Sequence, residues 1–143
     1  LFIFTRAILK EEPIEVYNFG HMERDFTYVD DIVNGIAAMI DKPATKSEHW
    51  DPFNADPANS SAPYRIYNIG NNKPVKLLDF IQAIEEVTGK KAIKNMLPIQ
   101  PGDVEKTWAD VSGLINEFKY EPKTPVSKGV KEFVEWFRDY YNY

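Results

Sequence analysis

The chain has 143 residues, a net charge of −5, a hydrophobic fraction of 43% and no cysteine. This length suits one domain, and the absence of cysteine excludes disulfides, thiolate metal sites and cysteine nucleophiles. The acidic balance argues against nucleic-acid binding, which needs clustered Lys and Arg. No apolar run approaches the roughly 20 residues of a membrane span, so we expect a cytoplasmic protein without a membrane partner.

The N-terminal segment "LFIFTRAILK" has helical spacing of its apolar residues and predicts a helix that ends near Lys10, before Pro13. This helix starts without Met or a capping residue, so we interpret the chain as part of a longer protein. Two strands are predicted next. "IEVYNFG" (residues 14–20) carries Tyr17 as a packing residue, and "FTYV" covers residues 26–29.

Asp30 and Asp31 precede an apolar run and predict the start of a second helix. A carboxylate at the N-cap accepts free backbone N–H groups, and the helix dipole favours negative charge in the first turn. Asp30 is therefore predicted to be the N-cap, and neither aspartate needs a catalytic role. The apolar face of this helix is predicted to consist of Ile32, Ile36, Met39 and Ile40.

The segment from residue 44 to 63 is rich in Pro, Ser, Asn and Asp and predicts a long loop. "YRIYNIG" (residues 64–70) predicts a strand, and the Leu and Ile stripe that follows predicts a helix ending at Gly89. A short helix capped by Asp110 and a last helix with Thr124 as its N-cap complete the chain. Since short strands alternate with helices, the fold class is predicted to be α/β.

Arg24 is one of only four arginines and directly precedes a predicted strand. Its guanidinium is a planar set of donors suited to bidentate recognition of phosphate. The spacing equally allows an ion pair with Asp30 or Asp31, so the residues alone leave both readings open. The two histidines, His21 and His49, lack metal-ligand spacing and predict no zinc site.

Three segments occur together in an order and spacing typical of one family: "RDFTYVDDIVNGI" (24–36), "YNIGNNKPVKLLDFI" (67–81) and "LPIQPGDVEKTWAD" (97–110). They resemble the C-terminal part of NAD-dependent nucleotide-sugar epimerases of the extended short-chain dehydrogenase/reductase family. "ANSSAPYRIYNIG" and "IKNMLPIQPGDV" are most similar to the UDP-glucuronate 4-epimerases. The resemblance implies the C-terminal portion of an extended Rossmann-type fold. Residues 1–143 would then be a single substrate-binding lobe that lacks the NAD-binding half.

The resemblance also implies roles for four residues. Arg24 resembles the arginine that binds the nucleotide diphosphate, and an arginine fork offers paired donors to such a group. Tyr17 takes the place of an aromatic residue that packs near the uracil. Asp103, which turn chemistry alone would explain, resembles a residue that closes the nucleotide site through the ribose hydroxyls or the phosphate-binding arginine. Gln100 stands where many relatives have arginine, so a second phosphate-binding charge is missing.

The family's Tyr-x-x-x-Lys pair and glycine-rich loop are both absent from this sequence. The resemblance therefore implies that NAD is bound by the missing half and that the intact protein is a UDP-sugar 4-epimerase. This chain alone would be inactive. A UDP-glucuronate decarboxylase, a sugar 4,6-dehydratase and a non-catalytic fragment are the alternatives. A homodimer is a further expectation, because family members commonly dimerise through helices of the first half.

Overall fold

The computed structural model describes residues 1–143 and contains five helices and five short strands. The helices are α1 (Phe2–Lys10), α2 (Val29–Ile40), α3 (Leu77–Thr88), α4 (Ser112–Phe118) and α5 (Val126–Tyr141). The strands are β1 (Pro13–Val16), β2 (Glu23–Arg24), β3 (Val75–Lys76), β4 (Ile93–Met96) and β5 (Lys106–Thr107). The predicted α/β class is confirmed. None of the helices is both long and apolar enough to cross a membrane.

The strands form two small sheets. β1 and β4 pair in parallel, with Val16 opposite Met96. β2 is the central strand of the second sheet, where Arg24 lies opposite Val75 of antiparallel β3 and Thr107 of parallel β5. Because paired parallel strands run in one direction, the segments that follow β1 and β4 leave their sheet at the same edge.

Nine buried residues form the main core between α1, β1, α3 and α5; they are Ala7, Ile8, Ile14, Val16, Phe80, Ile81, Ile84, Val130 and Val134. Helical spacing within α3 and α5 turns each set of apolar side chains to one side. The ring of Phe26 stacks on that of Phe80, with centroids 3.9 Å apart. This contact attaches the segment after β2 to the main core.

A second cluster of three buried residues, Val111, Leu114 and Tyr120, forms the minor core beside α2 and α4. The opposite side of α2 is uncovered. Four apolar residues at helical spacing form what we call the α2 stripe: Val29, Val33, Ile36 and Ile40 are 59%, 54%, 48% and 72% exposed. The predicted apolar face of this helix is therefore wrong for Ile36 and Ile40, since only Gly35 and Asp31 are buried.

Two predicted strands have bounds that differ from those in the structure. The strand expected over residues 14–20 ends at Val16, because Asn18 and Phe19 adopt left-handed φ values of 49° and 50° within a 3-10 turn (Tyr17–Gly20). The strand expected over residues 26–29 does not form there; β2 begins three residues earlier, at Glu23. Phe26 turns into the main core there, so the backbone leaves the ladder.

The strand expected over residues 64–70 does not form. One isolated bridge joins Arg65 to Asn59, and the rest of the segment has no partner strand. Residue composition favoured a strand, but pairing requires a neighbouring chain. The predicted loop of residues 44–63 contains no helix or strand, as expected.

Asp30 is not the N-cap of α2. The helix begins at Val29 with Tyr28 as its N-cap, so Asp30 and Asp31 both lie in the first turn. The carboxylate of Asp31 instead accepts two backbone N–H groups at 3.2 and 3.0 Å, from Lys123 and Thr124. These contacts tie α2 to the segment before α5.

The other helix ends follow local chemistry closely. Gly89 ends α3 with a left-handed φ of 72°, which confirms that prediction. The N-cap of α4 is Val111 and not Asp110 as predicted, although Asp110 accepts the N–H of Ser112, the first residue of the helix, at 2.9 Å. The N-cap of α5 is Pro125 and not Thr124, because Pro125 is extended (ψ 149°) and the helix begins only at Val126.

Candidate functional site

Arg24 lies at the centre of the candidate site. Its Nη1 donates to the backbone carbonyls of Glu23 at 2.9 Å and Glu105 at 3.2 Å. Its Nη2 lies 3.7 Å from Oδ1 of Asp103, beyond hydrogen-bond length, and the side chain is 28% exposed. Two neutral carbonyls thus hold one end of the guanidinium, and its other end forms a loose ion pair with Asp103. Arg24 is a fixed, partly exposed cation.

The position of Asp103 depends on the turn before it. The chain reverses at Gly102, whose φ of 86° suits glycine, and the N–H of Asp103 donates to the carbonyl of Gln100 at 3.1 Å. This turn brings Asp103 next to Arg24, although 79 residues separate them in the sequence. The ion pair with Asp30 or Asp31, which the sequence left open, is not formed.

Tyr17 is the first residue after β1 and lies in the 3-10 turn. Its hydroxyl donates to Glu15 at 2.6 Å. This hydrogen bond, together with burial, raises the pKa of Tyr17, so the phenol stays protonated at neutral pH. The N–H of Phe19 in the same turn donates to the carbonyl of Leu97 at 3.0 Å, directly after β4. The turn is therefore joined to the segment that carries Gln100.

The side chain of Gln100 is exposed and makes no hydrogen bond. The structure thus places Tyr17, Gln100 and Asp103 on the two segments that follow β1 and β4, and Asp103 links this edge to Arg24. Ligands of α/β proteins commonly bind outside the carboxyl ends of parallel strands. Of the four predicted residues, only Arg24 and Asp103 approach each other closely.

Asp25 is a residue that sequence reasoning missed. Its Oδ1 accepts the N–H of Asn71 at 3.2 Å, and its Oδ2 accepts those of Asn72 at 3.0 Å and Ala109 at 3.1 Å. A Cβ at Gly70 would lie 2.8 Å from Oδ2 and 2.6 Å from the Cβ of Ala109, so this junction needs glycine. The sole sequence signal was the position of Asp25 directly after Arg24.

The site offers charge and hydrogen bonds but no acid–base pair or metal centre. No group of three or more His, Cys, Asp or Glu side chains could hold a metal ion. The residues also do not suit a dinucleotide, whose pyrophosphate prefers a glycine-rich loop and a helix N-terminus. The helices that directly follow β2 and β3 carry acidic residues in their first turns, namely Asp30, Asp31 and Asp79.

The chain is similar to known proteins in sequence. The NAD dependent epimerase/dehydratase family matches residues 1–70. Protein CapI of Staphylococcus aureus is 49% identical over 141 residues, which are 99% of this chain and 42% of that protein. A probable UDP-glucuronate 4-epimerase of Rhizobium meliloti (strain 1021) is 39% identical over 142 residues, again 99% of this chain and 42% of the relative.

The chain is also similar in fold to solved structures. The crystal structure of UDP-glucuronic acid 4-epimerase from Bacillus cereus, in complex with UDP-glucuronic acid and NAD, superposes with a TM-score of 0.75 at 26% identity. The alignment covers 96% of this chain and 39% of that one. The chain thus spans less than half the length of the relatives it matches. In sequence it is similar to members of the NAD-dependent epimerase/dehydratase family, and it has the α/β fold of the extended short-chain dehydrogenases/reductases.

Proposed function

We propose that this chain is the UDP-binding lobe, over residues 1–143, of a UDP-glucuronate or related UDP-sugar 4-epimerase. The observation that supports this best is the state of Arg24, a partly exposed cation held by two carbonyls. A diphosphate is the natural partner for such a group, since charge-assisted hydrogen bonds from arginine to phosphate are strong and directional. The similarity to named UDP-glucuronate 4-epimerases supports the choice of nucleotide.

The remaining residues take supporting roles in this proposal. Nη2 of Arg24, which Asp103 approaches only to 3.7 Å, donates to the diphosphate. Asp103 lies beside it, where its carboxylate can hold the arginine or accept a ribose hydroxyl. Tyr17 packs near the uracil, and Gln100 contributes a neutral polar group in place of a second cation.

Binding and chemistry are divided between two parts of the protein in this proposal. The residues of this chain hold the UDP group, and holding a remote part of the substrate orients the reacting sugar. NAD, which supplies the hydride chemistry when bound, belongs to residues outside this chain, because no strand–helix junction here suits it. No reaction step is assigned to residues 1–143, so the chain alone is inactive. A homodimer of the longer protein is part of the same proposal.

Substitution of Arg24 tests the diphosphate role. In Arg24→Ala we expect affinity for UDP to fall by at least about tenfold, measured by isothermal titration calorimetry, because a charge-assisted contact is lost. Affinity for uridine, which has no phosphate, should stay within about twofold. Arg65→Ala is the matched control, since Arg65 is exposed and its substitution removes the same charge at a different place in the chain. Equal UDP binding by Arg24→Ala and the parent would refute the role.

Product analysis separates the epimerase from its alternatives. A longer protein containing this chain, given UDP-glucuronate and NAD, should yield a UDP-hexuronate of unchanged mass. Release of carbon dioxide would indicate a decarboxylase instead. The names of the relatives favour the epimerase. Conversion of UDP-glucuronate by the 143-residue chain alone would contradict its assignment as a binding lobe.

A further inference from the structure

We infer that Asp25 is a positioning residue for the diphosphate site, which it serves by fixing strand β5 against the strand of Arg24. This inference rests on the proposed function above. Asp25 makes no ion pair with Arg24, because its two carboxylate oxygens accept three backbone N–H groups instead. The negative charge of Asp25 is thereby satisfied by the backbone, so Asp103 is the carboxylate that pairs with Arg24, whose side chain stays 28% exposed.

The ladder that Asp25 supports is short. β2 and β5 are two residues long each, and a pair of that length has little stability of its own. The carbonyl of Glu105, just before β5, accepts the N–H of Glu23 at 2.7 Å and Nη1 of Arg24 at 3.2 Å. One carbonyl thus holds both the ladder and the guanidinium. If β5 slides along β2, Arg24 loses this support.

Asp25 prevents such a slide from the far end of β5. Its Oδ2 accepts the N–H of Ala109, two residues after the strand, while the same carboxylate binds Asn71 and Asn72 of a separate loop. The close approach of Gly70 to both Oδ2 and Ala109 shows that the junction is tightly packed. Asp25 therefore joins three segments and sets where the segment of residues 103–107 lies relative to Arg24.

Asp25→Asn is the direct test. Three N–H donors face the carboxylate, and an amide would turn its own donors toward at least one of them. We expect affinity for UDP to fall about tenfold, while affinity for uridine changes by less than about twofold, because the diphosphate contact alone is misplaced. Titration calorimetry on the full chain measures both ligands.

Asp31→Asn is the matched control. Asp31 also accepts two backbone N–H groups, from Lys123 and Thr124, but it lies away from Arg24. The Asp31→Asn variant should lower the unfolding midpoint about as much as Asp25→Asn does. It should leave the preference for UDP over uridine unchanged. Gly70→Ala is an independent variant that keeps every charge. Its Cβ would push Oδ2 and Ala109 apart, so the same loss of UDP preference is expected.

A ligand-free measurement distinguishes this inference from the proposed function. Hydrogen exchange of the Glu23 N–H, which reports the bond to Glu105, should be faster in Asp25→Asn than in Asp31→Asn. If the parent binds no UDP, the proposed function fails, and this exchange rate alone decides whether Asp25 fixes β5. An unchanged exchange rate, or an unchanged UDP-to-uridine ratio in Asp25→Asn, overturns the inference.

Discussion

The main core and the minor core differ in what holds them together. The main core joins nine buried residues of three helices and a strand, and it is held by apolar contact. The minor core has three buried residues and is bounded by polar contacts. Asp25 and Asp31 bind backbone N–H groups there, and the hydroxyl of Tyr120 donates to the carbonyl of Gly70 at 3.1 Å.

This difference separates the part of the chain that supplies most of the stability from the part that fixes the geometry of the candidate site. Burial of apolar surface is the dominant favourable term in folding, so the main core supplies most of the stability. Carboxylates that accept several backbone N–H groups contribute less energy but fix geometry. The residues after Arg24 contact both regions, since Phe26 stacks on Phe80 of the main core and Asp25 binds Ala109 beside the minor core.

The largest expected effect comes from truncating one buried residue in each core to alanine. Ile84→Ala should lower the free energy of unfolding by about 3 to 4 kcal/mol, because Ile84 is 0% exposed and its neighbours cannot collapse into the cavity. Leu114→Ala, at 1% exposure, should cost about 2 kcal/mol, since the smaller cluster can relax. Urea denaturation measures both. An equal cost at Leu114 would show that the two cores form one unit.

The next effect concerns a polar contact at the edge of the main core. Burial alone would raise the pKa of Glu85, but hydrogen bonds from Lys91, Lys94 and the N–H of Ala92 lower it from 4.5 to about 2. A depressed pKa means that the folded state binds fewer protons than the unfolded state. The carboxylate therefore stabilises the fold by up to about 3 kcal/mol above pH 4.5, and this is lost as the pH falls toward 2.

Glu85→Gln measures this contribution. The difference in unfolding free energy between parent and variant should be full at pH 6 and should shrink steadily between pH 4.5 and about 2. Glu86→Gln is the matched control, because Glu86 is exposed and bonds only Gln82 across one turn. Its substitution should change the unfolding free energy at pH 6 by less than about 0.5 kcal/mol. A constant parent-to-variant difference at Glu85 would contradict the assignment.

The smallest expected effect lies on the α2 stripe. Replacing Ile36 or Ile40 by Gln should change the unfolding free energy by less than about 0.5 kcal/mol, because these side chains are 48% and 72% exposed. The same changes should reduce self-association at high concentration, since exposed apolar patches favour contacts between molecules. Sedimentation velocity measures the self-association, with Asn34→Gln as the control. A loss above about 2 kcal/mol would show that the stripe is covered.

The helices could be predicted from the sequence because their signals are local. Apolar spacing and Gly89 placed α3 correctly, and α1 ends at Lys10 as expected. The short strands could not be placed in this way. β2, β3 and β5 are two residues long each, and a ladder of that length exists only because distant segments meet. The aromatic segment 64–70 looked like a strand and had no partner.

The candidate site also has features that the sequence predicts and features that depend on distant segments. The residue type and motif marked Arg24, and resemblance to a family added Tyr17, Gln100 and Asp103; their ligand contacts remain predictions. The approach of Asp103 to Arg24 depends on a turn whose partner lies 79 residues away. Asp25 escaped notice because all three of its hydrogen-bond donors are more than 40 residues distant.

The sequence by itself therefore determined the class of the fold, the helices and the resemblance to a family, because periodicity and motifs depend on residues close together in the chain. Only the tertiary structure decided which face of α2 is covered, where the strands pair and what holds Arg24. The physical reason is that each of these depends on backbone groups far along the chain. Hydrogen bonds between such groups require the tertiary structure to bring the segments together.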